Sequence, residues 1–443
     1  MESNLWSIPL LILSILIGFI LGIISGLIPG IHTNTFALIL VAISPILQNF
    51  GFDILHIAII ILANSITHTF LDIIPSIFLG APEGDTALTV LPGHSLLLDG
   101  LGIEAVRLSA LGSAGSVFLS ILLLIPLIFL FNNFYYILSS YIGWILVSIV
   151  VIMISLEKGE YIEGQGSLVP LKYKFYAIIL FFLSGFLGIL SFDRENLVNP
   201  IIYPFNKTDS GIVLMPLFSG LFGASMLITS LLTHSEIPPQ ILKEFELPIN
   251  RTIRGIISGS LAGAIVAWLP GVTSTIASVL ARLTISDSKT VHSNEMELEY
   301  NNKEIIVSIS GANTANAIYS LIALYIINKT RSGAMASLKS IGVNLNASLV
   351  LLFIIIIVIV SILSYFATIY FGKISGEFLQ KFNYSKLCLG VLIGLTAIVI
   401  LFTGWFGFII FLIAIPIGMI PSYAKIRRVH AMGVLLLPLI LYY

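Results

Sequence analysis

Two Pro-Gly segments set in long uncharged stretches carry the polar atoms best able to do chemistry. Ser25 to Thr35 reads SGLIPGIHTNT, and Trp268 to Thr275 reads WLPGVTST. Proline lacks the N–H that a helix interior needs and glycine takes dihedrals other residues avoid, so Pro29-Gly30 and Pro270-Gly271 should each stop a helix. Thr33, Asn34 and Thr35 follow the first stop, and Thr273, Ser274 and Thr275 the second; these are types that cap the start of a new helix. Unpaired N–H groups and the positive end of a helix then gather at one point, where an anionic ligand is stabilised without a permanent buried cation.

A second pair of segments follows the first. ANSITHTFLD at 63 to 72 stands opposite GANTANAIYS at 311 to 320. Asn64, Ser65 and Thr67 in one, and Asn313, Thr314 and Asn316 in the other, put amides and hydroxyls on one face and flank of apolar helices. They either line a ligand or ion site or tie helices together at about 0.6 kcal/mol each. Asp72 lies in an otherwise uncharged helix, and an intramembrane carboxylate is by default a functional residue, here the leading candidate to carry H+ or ligate Na+. Glu83 and Asp85, in APEGD, are read as further coupling acids or as solvated loop acids. Of seven histidines, His32 and His68 fall within the polar segments, either moving protons and bonding a carboxylate or sitting neutral against a carbonyl. Arg282, the basic residue beside the second break, is expected to snorkel to the interface. There is no HExxH motif or cysteine cluster, so no metal site and no cofactor beyond a coupling ion is expected.

The elements that position these residues follow from the charge map. The chain has 443 residues, 57% hydrophobic and 10% charged, with 21 Lys+Arg against 22 Asp+Glu; a soluble domain carries about 25% charged residues. An ordinary soluble enzyme is excluded. So is nucleic-acid binding as a main activity, since a net charge of −1 cannot neutralise a phosphate backbone. No Asp, Glu, Lys or Arg occurs at 3–52, 54–71, 108–156, 175–192, 210–235, 255–281, 305–328, 340–372 or 387–424. A helix crosses with about 20 apolar residues, so several runs hold two passes, and ten to twelve membrane segments are expected. With no basic residue in Met1 to Asn4, the first helix is expected to be retained. Lys and Arg are spread over nearly every loop, Lys425, Arg427 and Arg428 among them, and set no orientation.

The chain also repeats itself. Gly18, Gly22, Pro29, Gly30 and Thr33 match Gly259, Gly263, Pro270, Gly271 and Ser274 at an offset of 241 residues. Ala63, Asn64, Ser65, Thr67, Phe70 and Gly84 match Ala312, Asn313, Thr314, Asn316, Tyr319 and Gly333 at 249, the difference being assigned to a loop insertion in the polar stretch from Ser286 to Lys303. The expected organisation is a first transmembrane repeat at 1–200, a linking segment with one membrane helix at 201–245, and a second repeat at 246–443. Interrupted hydrophobic segments in corresponding positions of two halves point to a secondary transporter whose breaks meet near the midplane, the alternative being a duplicated scaffold with proline kinks.

The pattern resembles the large membrane subunit of tripartite tricarboxylate transporters, the TctA-like family. The resemblance rests on the GxxxGxxPG element (Gly22, Gly26, Pro29, Gly30), on Pro270 and Gly271, and on APEGDTALTVLPGHSLLLDG from Ala81 to Gly100 with the ensuing Ala110-Leu111-Gly112-Ser113. Pro92 and His94 stand where the family usually carries Asp and Tyr. The resemblance implies cation-coupled uptake of an organic anion across the cell membrane, with a small membrane subunit and an extracellular solute-binding protein as partners. The expectation is thus an all-α, multi-pass membrane protein, not an enzyme, moving a small organic anion, a carboxylate, coupled to H+ or Na+. Pro29, Gly30, His32 to Thr35, Pro270, Gly271 and Thr273 to Thr275 would shape the site, and Asn64, Thr67, Asn313 and Asn316 would line it. The alternative is a translocase for polyprenyl phosphate or another anionic lipid carrier, which would more often place Arg or Lys at the phosphate. An intramembrane hydrolase using Asp72 and Asp99 has no supporting motif.

Overall fold

The computed structural model describes residues 8–28, 36–37, 40–41, 43–80, 86–157, 168–201, 213–232, 238–241, 247–268, 274–285, 295–379 and 384–442, and among these no strand occurs. In chain order the helices are α1 (Ile8–Leu27), α2 (Ser44–Asn49), α3 (Ile54–Leu71), α4 (Ile73–Phe78), α5 (Val90–Leu98), α6 (Gly102–Leu122), α7 (Leu124–Ser140), α8 (Ile142–Ser155) and α9 (Leu168–Asp193). They continue with α10 (Leu214–Leu232), which contains a π-turn at Ser219–Ala224. The rest are α11 (Ile249–Trp268), α12 (Ser274–Leu283), α13 (Glu295–Ile327), α14 (Gly333–Ser340), α15 (Ala347–Leu379), α16 (Tyr384–Ala424) and α17 (Gly433–Tyr442).

Among the described residues eight helices are long and apolar enough to cross a membrane, with shorter apolar helices between them. The all-α polytopic expectation is met, though some uncharged runs hold a full helix and a short one rather than two full passes. Helix α12 shows why: its 10 residues rise about 15 Å, half of a hydrocarbon core of about 30 Å.

The helices are turned inside out relative to a soluble bundle. On α1, Ile8, Ile12, Leu16, Ile20 and Ile24 face outward while Ser14, Gly18, Gly22, Ser25 and Gly26 are buried. On α11, Ile249, Ile253, Ile257, Leu261 and Ile265 face outward while Gly255, Gly259, Ser260 and Gly263 are buried. Lipid tails are as apolar as these side chains, so burial gives little driving force and small residues are placed inward to let backbones approach. Gly22 lies so close to Thr67, and Gly263 to the Ala312 carbonyl and Ala315, that a Cβ at either position would overlap the neighbour.

Contacts fix the helix directions. Helix α1 runs parallel to α3, with Gly18 against Ala63, Gly22 against Thr67 and Gly26 against Leu71. Helix α11 runs parallel to α13, with Gly255 against Val307 and Gly263 against Ala315. Helix α6 is parallel to α13 through Glu104 and Lys303, Ser109 and Ser310, and Ser120 and Tyr319. Helix α15 runs with α3 and α4 through Ser364 and Thr67, and against α6 through Gly372 and Val106 and Gly376 and Ile103. It follows that α3 and α13 run in opposite directions.

Of the stretch from Ser286 to Lys303, to which a loop insertion is assigned, residues 286–294 lie outside the described residues and the remainder is helical from Glu295 onward. Charges at the start of α13 are paired across helices: Arg251 Nη2 lies 2.5 Å from Glu297 Oε1, Arg254 pairs with Glu304, and Lys303 Nζ lies 2.7 Å from Glu104 Oε1 and 2.6 Å from Glu299 Oε1.

Candidate functional site

The site grows from the way α3 ends. Pro75 has no N–H to offer the Leu71 carbonyl, so the helix is broken next to Asp72, which stands between α3 and α4 with φ −59° and ψ −18°. Asp72 is 3% exposed. Asn313 Nδ2 of α13 donates to Asp72 Oδ2 at 2.9 Å, and one turn away Thr314 Oγ1 donates to Thr69 Oγ1 at 3.2 Å. The two polar segments recognised in the sequence therefore meet across the antiparallel crossing of α3 and α13. A carboxylate in apolar surroundings is tolerated when donors satisfy its oxygens, and the Asn313 amide serves that purpose without adding charge.

On the other flank of α3, Asn64 Nδ2 donates to Ser25 Oγ at 3.2 Å, and Ser25 Oγ lies 3.0 Å from His68 Nδ1. Asn64 Oδ1 is buried and has no hydrogen-bond partner among the described residues, which leaves an acceptor oxygen in a polar cluster. Thr67 Oγ1 accepts from Ser364 Oγ of α15 at 3.1 Å. Below Asp72, Ser76 Oγ donates to the Asp72 carbonyl at 3.0 Å and lies 2.6 Å from Thr86 Oγ1, closing α4 onto the chain leading into α5.

Of the remaining expected residues, Asn316 is buried with its backbone against Gly263 and its carbonyl accepting from Ser320. Ser274 and Thr275 are buried in the first turn of α12, where the Ser274 carbonyl accepts from Ser278. Pro29, Gly30, His32, Thr33, Asn34, Thr35, Glu83, Asp85, Pro270, Gly271 and Thr273 lie outside the described residues. The structure thus joins Asp72 to Asn313, Asn64 to His68 through Ser25, and Thr67 to α15.

Sequence reasoning had missed Thr69, Ser364 and the bridging role of Ser25. Ser25 stood at the head of the first Pro-Gly segment and Thr69 in the middle of the Asn64 to Asp72 segment, so both carried a signal. Ser364 is one of several hydroxyls in its helix, with Ser361 and Thr368 beside it, and nothing local marks it out from them. Among the described residues no cluster of His, Cys, Asp and Glu is arranged to hold a metal ion.

The family model described as "Tripartite tricarboxylate transporter TctA family" matches residues 12–433. An uncharacterised protein of Methanocaldococcus jannaschii is 29% identical over 444 residues, covering 98% of each chain. No solved structure matches.

Proposed function

The chain belongs to the tripartite tricarboxylate transporter TctA family, and from that premise we propose that it is a secondary active transporter moving a small carboxylate across the cell membrane, coupled to H+ or Na+. Membership makes it a transporter component and a multi-pass membrane protein. The finer reading rests on one observation: the buried Asp72 carboxylate and the Asn313 amide meet where the two polar helices cross in opposite directions. A buried acid that accepts from a neutral amide is able to exchange a proton or a monovalent cation as a ligand arrives, which is what coupling requires. The unpartnered Asn64 Oδ1 adds an oxygen of the type that ligates Na+.

In this reading the two halves are inverted repeats, 1–200 and 246–443 with 201–245 between them, related by an axis in the membrane plane. The outward faces of α1 and α11 recur at the same offset of 241 residues as the Pro-Gly segments, and the parallel pair α1 with α3 opposes the parallel pair α11 with α13. A small membrane subunit and an extracellular solute-binding protein are the partners this function would use.

The test is uptake of labelled citrate and smaller carboxylates into vesicles under imposed H+ and Na+ gradients. Accumulation should need a gradient and fall at least about tenfold, worth about 1.4 kcal/mol, in Asp72→Asn. Full accumulation in Asp72→Asn removes the acid from coupling. Unchanged uptake with Thr33→Val and Ser274→Ala combined removes the helix starts from the site.

A further inference from the structure

Between α16 and α17 the chain makes a short 3-10 turn, Arg428–Met432, that is buried throughout. Arg428 itself is 7% exposed. Its Nη2 donates to Ser422 Oγ at 3.0 Å, while Nη1 is buried and finds no hydrogen-bond partner among the described residues. The acid associated with the same turn, Glu157, is already engaged: its Oε2 lies 2.7 Å from His430 Nε2 and accepts from the Arg427 backbone N–H at 3.0 Å.

A guanidinium is always charged, and burying it without a counter-charge is costly. Snorkelling to the headgroups does not relieve Arg428, because the charged end is the part enclosed. Among the described residues Ser422 serves Nη2 with a hydroxyl and no negative charge. An oxyanion that accepts from Nη1 would supply it.

We propose that Arg428, with Ser422, holds a carboxylate of the transported anion at the turn between α16 and α17, a station separate from the Asp72 cluster. The proposal rests on the transport reading above and supplies the fixed positive charge that the Pro-Gly segments do not. A phosphate would satisfy the same donors, so the experiment includes both.

The full chain is purified, and its melting temperature is followed against citrate and, separately, inorganic phosphate; citrate uptake is measured in parallel. Citrate should raise the melting temperature of the wild type in a saturable way. Half-saturation, in both melting and uptake, should rise at least tenfold in Arg428→Gln and several-fold in Arg428→Lys, which keeps the charge and loses the fork. The same half-saturation in Arg428→Gln as in wild type overturns the station, and so does saturable stabilisation by phosphate but not by citrate. If Arg428→Gln does not fold, Ser422→Ala decides: a two- to fivefold rise supports the station and no rise overturns it. Absence of carboxylate uptake by the wild type sinks the transport reading itself, whereas robust uptake indifferent to Arg428 sinks only the station.

Discussion

Helix α13 carries two polar regions that solve burial in opposite ways. At its start, Glu297, Glu299, Lys303 and Glu304 are matched by Arg251, Arg254 and Glu104, charge against charge. Two turns further on, Asn313 and Thr314 face Asp72 and Thr69, where a neutral amide donates to the acid. The first region sets charge against charge and holds α6, α11 and α13 together. In the second, the bond between the helices is made by a neutral amide donating to an acid. An ion-pair network is suited to a fixed joint, and an acid bonded by an amide to a step that changes occupancy.

The largest effect should come from the paired end. Lys303→Met strands the fully buried Glu104 carboxylate and should cost about 3–5 kcal/mol of stability. Unfolding in detergent measures this, and replacing Glu104 by Leu as well should return most of the loss; a single variant as stable as wild type would erase the contrast between the regions. Asp72→Asn should behave the other way. Its amide still bonds Asn313, so stability should change by less than about 1 kcal/mol while coupled uptake collapses, and a drop in stability as large as that of Lys303→Met would make Asp72 another structural charge. Smallest of all, Thr314→Val removes one hydroxyl contact to Thr69 and should cost about 0.6 kcal/mol. A loss several times larger would place Thr314 in the working centre rather than at its margin.

Much of this was legible in the chain. The uncharged runs located the apolar helices because hydrophobicity over about 20 residues is a local property. Asn64, Asp72 and Asn313 stood out because amides and acids are rare in such runs. That Asp72 touches Asn313 was not legible, since residues so distant in sequence meet only through the crossing of α3 and α13. The pairing at the charged start of α13 was not legible for the same reason: Glu297, Glu299 and Lys303 find Arg251 and Glu104 only through the packing of α13 on α11 and α6. Arg428 was counted with Lys425 and Arg427 as a loop cation, because sequence shows charge and not enclosure.

The glycine ladders bear on how such a molecule is able to shift. Sliding α1 along α3, or α11 along α13, would drive backbone into backbone, because the glycines have already brought those chains to their limit. Where α3 meets α13 directly, the contact instead runs through side-chain hydrogen bonds, Asn313 to Asp72 and Thr314 to Thr69, which rearrange without driving backbone into backbone.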